Sequence, residues 1–105
     1  MSIFSNTTWN IVGNGFPGKL NITDNQQVIS GDIYNDNVTG IMITGNQIVF
    51  TRQGAGFQQM WSGTAVSQGG GVNSIWSIMG LFTHLQNGNQ SGPFMWSGSS
   101  ELIPG

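Results

Sequence analysis

Two neighbouring stretches, Phe57–Val66 (FQQMWSGTAV) and Ser74–Leu85 (SIWSIMGLFTHL), decide the fold. Both are rich in residues that fit a pleated surface, and neither shows an apolar stripe at helical spacing. At a period of two, Phe57, Gln59, Trp61, Gly63 and Ala65 share one face of the first stretch, opposite Gln58, Met60, Ser62, Thr64 and Val66. In the second, Trp76, Ile78, Gly80 and Phe82 oppose Ile75, Met79, Leu81 and Leu85. Large apolar groups thus occupy both faces, and each one left in water forgoes roughly 1.5–3 kcal/mol. One face belongs to a core; the other is expected to meet a partner, in a homodimer or larger assembly through strands six to eight.

Outward from this pair, Gly, Asn, Asp and Pro punctuate the chain at the spacing of an all-β sandwich or barrel. Eight strands are expected: Thr8–Val12, Lys19–Thr23, Gln27–Tyr34, Val38–Thr44, Gln47–Arg52, Phe57–Val66, Ser74–Leu85 and Phe94–Leu102. The connections GNGFPG (13–18), DNQ (24–26), NDN (35–37), GN (45–46), QGAG (53–56), SQGGG (67–71) and QNGNQSG (86–92) are short enough for a meander. A weak repeat, QQVISG (26–31), QQMWSG (58–63) and FMWSG (94–98), places Gly inside strands, where bulges and barrel coiling need it. A trefoil would need more strands than 105 residues supply. The expected fold is all-β: one domain over residues 1–105, an eight-stranded antiparallel up-and-down barrel whose closure removes exposed edges.

Composition excludes several functions. Only 6% of residues are charged, against about a quarter in an average protein. Four Trp, six Phe and five Met nevertheless argue for a packed core. Lys19 and Arg52, the only cations, cannot neutralise a phosphate backbone, so no nucleic-acid partner is expected. Absence of Cys removes disulfides and thiolate chemistry. No apolar run reaches the roughly 18 residues of a membrane helix, so no membrane insertion is expected. The opening MSIFSNTTWN has neither the basic nor the apolar region of a signal peptide, which implies a cytoplasmic protein, release by another route being left open.

The strand plan and its Trp positions resemble the calycin group of ligand-binding barrels, the avidin family most closely. TTWN (7–10) is similar to the avidin-type first strand, SGDIY (30–34) to its Gly-x-Tyr third strand and MWSG (60–63) to its Trp-Ser-Gly sixth; Trp76 falls near a lumen Trp of strand seven. The resemblance implies a barrel with a small molecule in its lumen. Phe57 and Gln59 stand where the avidins carry hydroxyl residues, Phe50 where they carry a Trp, and no Asp closes the last strand, which argues against biotin.

Among single residues, the Trp side chains are core or interface groups, or stacking platforms for a sugar or flat ligand. His84 alone makes neither a metal site nor a triad. Asp32 and Asp36 with Asn35 and Asn37 could offer oxygens to calcium, but NDN reads more simply as a hairpin turn. If the Arg52 face is the lumen, its charge needs a carboxylate such as Asp32; otherwise Arg52 is a solvated strand end. Phe16 beside Pro17 is a lid or a stiff connection, and the sequons at Asn6, Asn21, Asn37 and Asn89 are incidental without export.

The function expected is a non-enzymatic lectin-like barrel binding neutral carbohydrate, with Trp9, Asn10, Asn14, Tyr34, Gln59, Trp61, Trp76 and Trp96 as ligand-binding candidates. Alternatives are a calycin-like small-molecule binder with the ligand in the lumen, and a structural oligomerisation module. Neither cofactor nor metal is expected, and general acid–base catalysis would need more titratable groups than this chain has.

Overall fold

A computed structural model of the protein describes residues 3–25, 28–67, 73–100 and 103–104. It contains strands β1 (Thr7–Gly13), β2 (Phe16–Asn25), β3 (Val28–Ile33), β4 (Asp36–Thr44), β5 (Gln47–Gly54), β6 (Phe57–Ser67), β7 (Asn73–Ser74), β8 (Trp76–Gln86), β9 (Asn89–Ser100) and β10 (Ile103–Pro104). Eight of these close an antiparallel barrel in the order β1-β2-β3-β4-β5-β6-β8-β9, and β7 pairs with β10 beside it. The all-β meander expected from the sequence is therefore the fold, and none of the described residues forms a helix.

The strands run further than their sequence boundaries suggested because most turns shrink to two residues. GNGFPG (13–18) reduces to Asn14–Gly15, with Phe16 and Pro17 already paired to Gly13 and Val12. QNGNQSG (86–92) reduces to Asn87–Gly88. In both turns the two residues have positive φ, the mirror-image geometry whose twist matches that of the flanking strands. NDN (35–37) is not itself the third turn: Tyr34–Asn35 is, and Asp36 begins β4. The expected seventh strand also divides, since Ser74 pairs with Ile103 outside the barrel. The SQGGG turn beyond Ser67, the Gln27 start of strand three and the Leu102 end of strand eight lie outside the described residues.

Alternation then fills the barrel. Leu20, Ile22, Ile33, Ile48, Phe50, Trp61, Ala65, Ile78, Phe82 and Trp96 point inward and are buried. At one end Phe4 folds under the barrel against Trp9, ring centroids 5.5 Å apart, and both are fully buried. Thr7 Oγ1 accepts from Trp9 Nε1 at 2.9 Å and donates to the Phe4 carbonyl, so the buried indole N–H of the plug is paired. The other end, where the β1–β2, β3–β4, β5–β6 and β8–β9 hairpins turn, stays open.

The exterior has two unlike halves. Across β1, β2 and β3, Thr8 donates to Asn21 and Asn21 to Asp32, a polar ladder in register. On β3 Asp32 thus belongs to the solvent face, with Ile33 inside. Across β4, β5, β6, β8 and β9, the exterior instead presents Met42, Val49, Met60, Met79, Leu81 and Met95, and the four methionines are 60–69% exposed.

Within the core, Trp96 lies across Gly63, where a Cβ would meet its ring at 2.5 Å. Overpacking of a filled core costs typically 1–3 kcal/mol. Gly63→Ala should therefore lower stability by about that amount and the melting temperature by several degrees in thermal circular dichroism. Ser62→Ala, next door on the outer face, should stay within about 0.5 kcal/mol of the natural chain.

Candidate functional site

Barrel register stacks the inward side chains of the open half into layers. One row runs Phe50–Trp61–Phe82–Phe94 across β5, β6, β8 and β9. Trp61 stacks on Phe82 at 4.1 Å and 8°, and on Phe50 at 5.8 Å and 12°, while Phe82 meets Phe94 at 5.3 Å. The next row toward the mouth is Arg52–Gln59–His84–Ser91, displaced slightly by the bulge between Phe82 and His84. An aromatic floor thus lies beneath a polar collar. Asn14, Phe16 and Tyr34 add the rim, and a cavity of about 430 Å³ lies between. That volume and the mix of aromatic wall with few polar groups match small-molecule sites.

The collar is one connected network. Arg52 bonds Asp36 Oδ2 through Nε at 2.8 Å and Nη2 at 2.6 Å, and gives Nη1 to Gln59 Oε1 at 3.1 Å. Trp61 Nε1 donates to the same Gln59 oxygen at 3.0 Å. Arginine and indole N–H groups only donate, so this oxygen assignment is forced, and Gln59 Nε2 must donate to His84 Nδ1 at 2.9 Å. His84 Nε2 consequently carries the hydrogen it donates to Gln86 Oε1 at 3.2 Å. The guanidinium also lies between rings, 4.8 Å from the Tyr34 centroid and 5.0 Å from that of Phe57, which attracts a cation to the ring faces. Phe57 in turn stacks on His84 at 5.0 Å.

Tyr34 reaches the rim because of its backbone. With φ at +51°, an uncommon value for a bulky residue, it leaves the outward alternation of β3 and folds its ring over Gly18, where any Cβ would collide. Its hydroxyl accepts from the Gly13 N–H at 3.0 Å and donates to the Phe16 carbonyl at 2.6 Å. These two bonds hold together the rim of the first hairpin.

Of the residues expected from sequence, Asn14, Tyr34, Gln59 and Trp61 converge on the cavity. Trp9 sits in the plug at the opposite end, and Asn10 is exposed on the outer face of β1. Trp96 is buried beneath the floor, its Nε1 donating to the Ser62 carbonyl at 2.8 Å. Trp76 packs partly buried at the plugged end, its backbone N–H bonded to Ser100 Oγ. Phe16, Arg52, Phe82, His84, Ser91 and Phe94 join the site without having been grouped there from sequence. The available signal for Arg52, Phe82, His84 and Phe94 was their common inward parity on paired strands; Ser91 lies three residues from Phe94 across the bulge, so alternation alone would have placed it outside. Arg52 does face the lumen, but its carboxylate is Asp36 and not Asp32. Val38 pairs with Arg52, so Asp36, two residues earlier, points inward beside it, whereas Asp32 lies on the outer ladder. Asp36 is thereby engaged with Arg52 rather than grouped with Asp32 as a calcium ligand.

Burial raises the Tyr34 phenol above its ordinary 10.0, against the opposing pull of the Gly13 N–H and Arg52. A raised phenol stabilises the fold fully below pH 10.0, and this contribution is lost as pH climbs through the folded-state value. Tyr34 is the only tyrosine, so ultraviolet difference absorbance of tyrosinate reads it directly. The expected midpoint lies above that of the unfolded chain in denaturant.

No protein-family model matches the chain, and no curated protein or solved structure matches it either.

Proposed function

We propose that this protein is a non-catalytic binding barrel that takes a small, largely apolar molecule into the open end of its lumen. The observation that supports this best is the cavity itself: a floor of stacked aromatic rings under a collar of ordered polar groups. Pre-ordered polar groups reduce the cost of binding. Catalysis finds less support, because Arg52 is ion-paired and both His84 nitrogens are hydrogen-bonded, to Gln59 and Gln86 rather than to the neighbouring Ser91. The neutral-carbohydrate reading draws on the Asn-, Gln- and Ser-rich surface and on Trp76, the one partly exposed indole. Both faces of Trp61 are covered by Phe50 and Phe82, and Trp96 is buried, which removes them as sugar platforms.

The test is a fluorescence titration with N-phenyl-1-naphthylamine, which brightens in apolar pockets. Enhancement should saturate on the natural chain and vanish in Ser91→Trp, which fills the cavity from its rim. Equal enhancement in both would put the probe outside the lumen and sink the reading. Saturation on a glycan array with no response to the naphthylamine would restore the carbohydrate reading.

A second copy of the chain is the proposed partner of the apolar flank. Met95, Leu81, Ser62, Val49 and Met42 form one cross-strand row, and β6, β8 and β9 contain no Asp, Glu, Lys or Arg. Two such flanks meet without charge repulsion, and their adaptable methionines fill irregular gaps. Sedimentation should give a dimer or larger at micromolar concentration and a monomer for Met79→Glu/Met95→Glu; a monomeric natural chain would end this reading.

A further inference from the structure

We infer that the lumen selects a ligand whose aromatic or conjugated body ends in a hydrogen-bond acceptor with no donor of its own, a carbonyl or carboxylate oxygen directed at Arg52 and Gln59. This rests on the lumen reading and adds the chemistry of the group that meets the collar.

The argument is a count of donors and acceptors among the described residues. Gln59 Oε1 already accepts from Arg52 and Trp61, which fills both of its lone pairs. His84 Nδ1 accepts from Gln59, and its other nitrogen is turned to Gln86. The Tyr34 oxygen both accepts and donates within the rim. Asp36 meets Arg52 through Oδ2 and does not line the cavity. The acceptors that Gln59 and His84 turn toward the cavity are therefore spent. Donors remain: two of the five N–H groups of Arg52, and the second N–H of the Gln59 amide. Asn14 at the rim and Ser91 at the β9 end of the collar can act in either sense.

Orientation of these donors is fixed by the rest of the network. The guanidinium is clamped by Asp36 and by the Tyr34 and Phe57 rings, and the amide is fixed by two donor-only groups. Gln59 cannot rotate to expose its oxygen without turning its N–H groups against Arg52 and Trp61. A ligand that brings an N–H or O–H to Arg52 and Gln59 leaves that donor unpaired against fixed donors, which is disfavoured by about tenfold or more. An sp² oxygen accepts from Arg52 and Gln59 together. Because Asp36 offsets the Arg52 charge, a neutral carbonyl and a carboxylate share this chemistry.

Calorimetric titration of the full chain with naphthalene, 2-acetonaphthone, 2-naphthoate and 2-naphthylmethylammonium tests it. At least one of the oxygen-bearing probes should bind about tenfold or more tighter than both the ammonium and naphthalene itself. A lead for acetonaphthone identifies the neutral carbonyl as the favoured source, and a lead for naphthoate the carboxylate; either supports the inference. Equal affinity for all four overturns it while leaving the lumen reading in place, and no binding of any of them overturns the lumen reading as well. In Gln59→Glu the free N–H is replaced by a carboxylate oxygen. The ranking should then reverse, with the oxygen probes weakened about tenfold and the ammonium strengthened. An unchanged ranking, in a variant whose near-ultraviolet circular dichroism remains natural, would also overturn the inference. The ranking on the natural chain is read independently of the variant.

Discussion

Trp61 is where the core and the cavity meet. Its ring lies between Phe50 and Phe82 on the two neighbouring strands, and its edge meets Trp96 at 5.2 Å. Cross-strand aromatic pairs each stabilise a sheet by roughly 0.2–1 kcal/mol, and here they tie β5, β6 and β8 in one register. The same indole then reaches up through Nε1 to fix the Gln59 oxygen. The packing of the floor therefore dictates the hydrogen bonding of the collar. A change at Trp61 reaches every polar group above it.

That arrangement also explains how so neutral a chain keeps a cation near its interior. An unpaired charge there would be prohibitive, and a pair taken out of water must be compensated by good geometry. Arg52 has a carboxylate on one edge, an amide oxygen on another and aromatic faces above and below. Partial exposure toward the mouth relieves the remainder, since the Arg52 side chain stays 16% accessible. The scarcity of charge elsewhere makes this cluster the principal electrostatic feature of the lumen.

Much of the fold was legible because alternation is a local property. Leu20 and Ile22 against Asn21, or Trp61 and Ala65 against Met60 and Thr64, sort into faces from sequence alone, and the Asn-Gly pairs mark hairpins by their tolerance of positive φ. The site was legible only in part. Asn14, Tyr34, Gln59 and Trp61 were picked out by type, but their convergence depends on which hairpins share an end and on the closing β1–β9 register. Asp36 was read as a turn residue because the left-handed positions could fall on Asn35–Asn37 as readily as on Tyr34–Asn35. Nothing local announces that a tyrosine will occupy the left-handed position; its ring over Gly18 and its two rim hydrogen bonds do that, and they come from other strands.

The two unlike halves of the exterior have a geometric corollary. The methionine flank lies on the side wall formed by β4, β5, β6, β8 and β9, whereas the mouth opens at one end of the barrel. Anything lying flat against the flank meets the barrel side-on and leaves the entrance clear. The side wall and the mouth are thus geometrically independent: a body resting on the wall leaves the doorway facing the solvent.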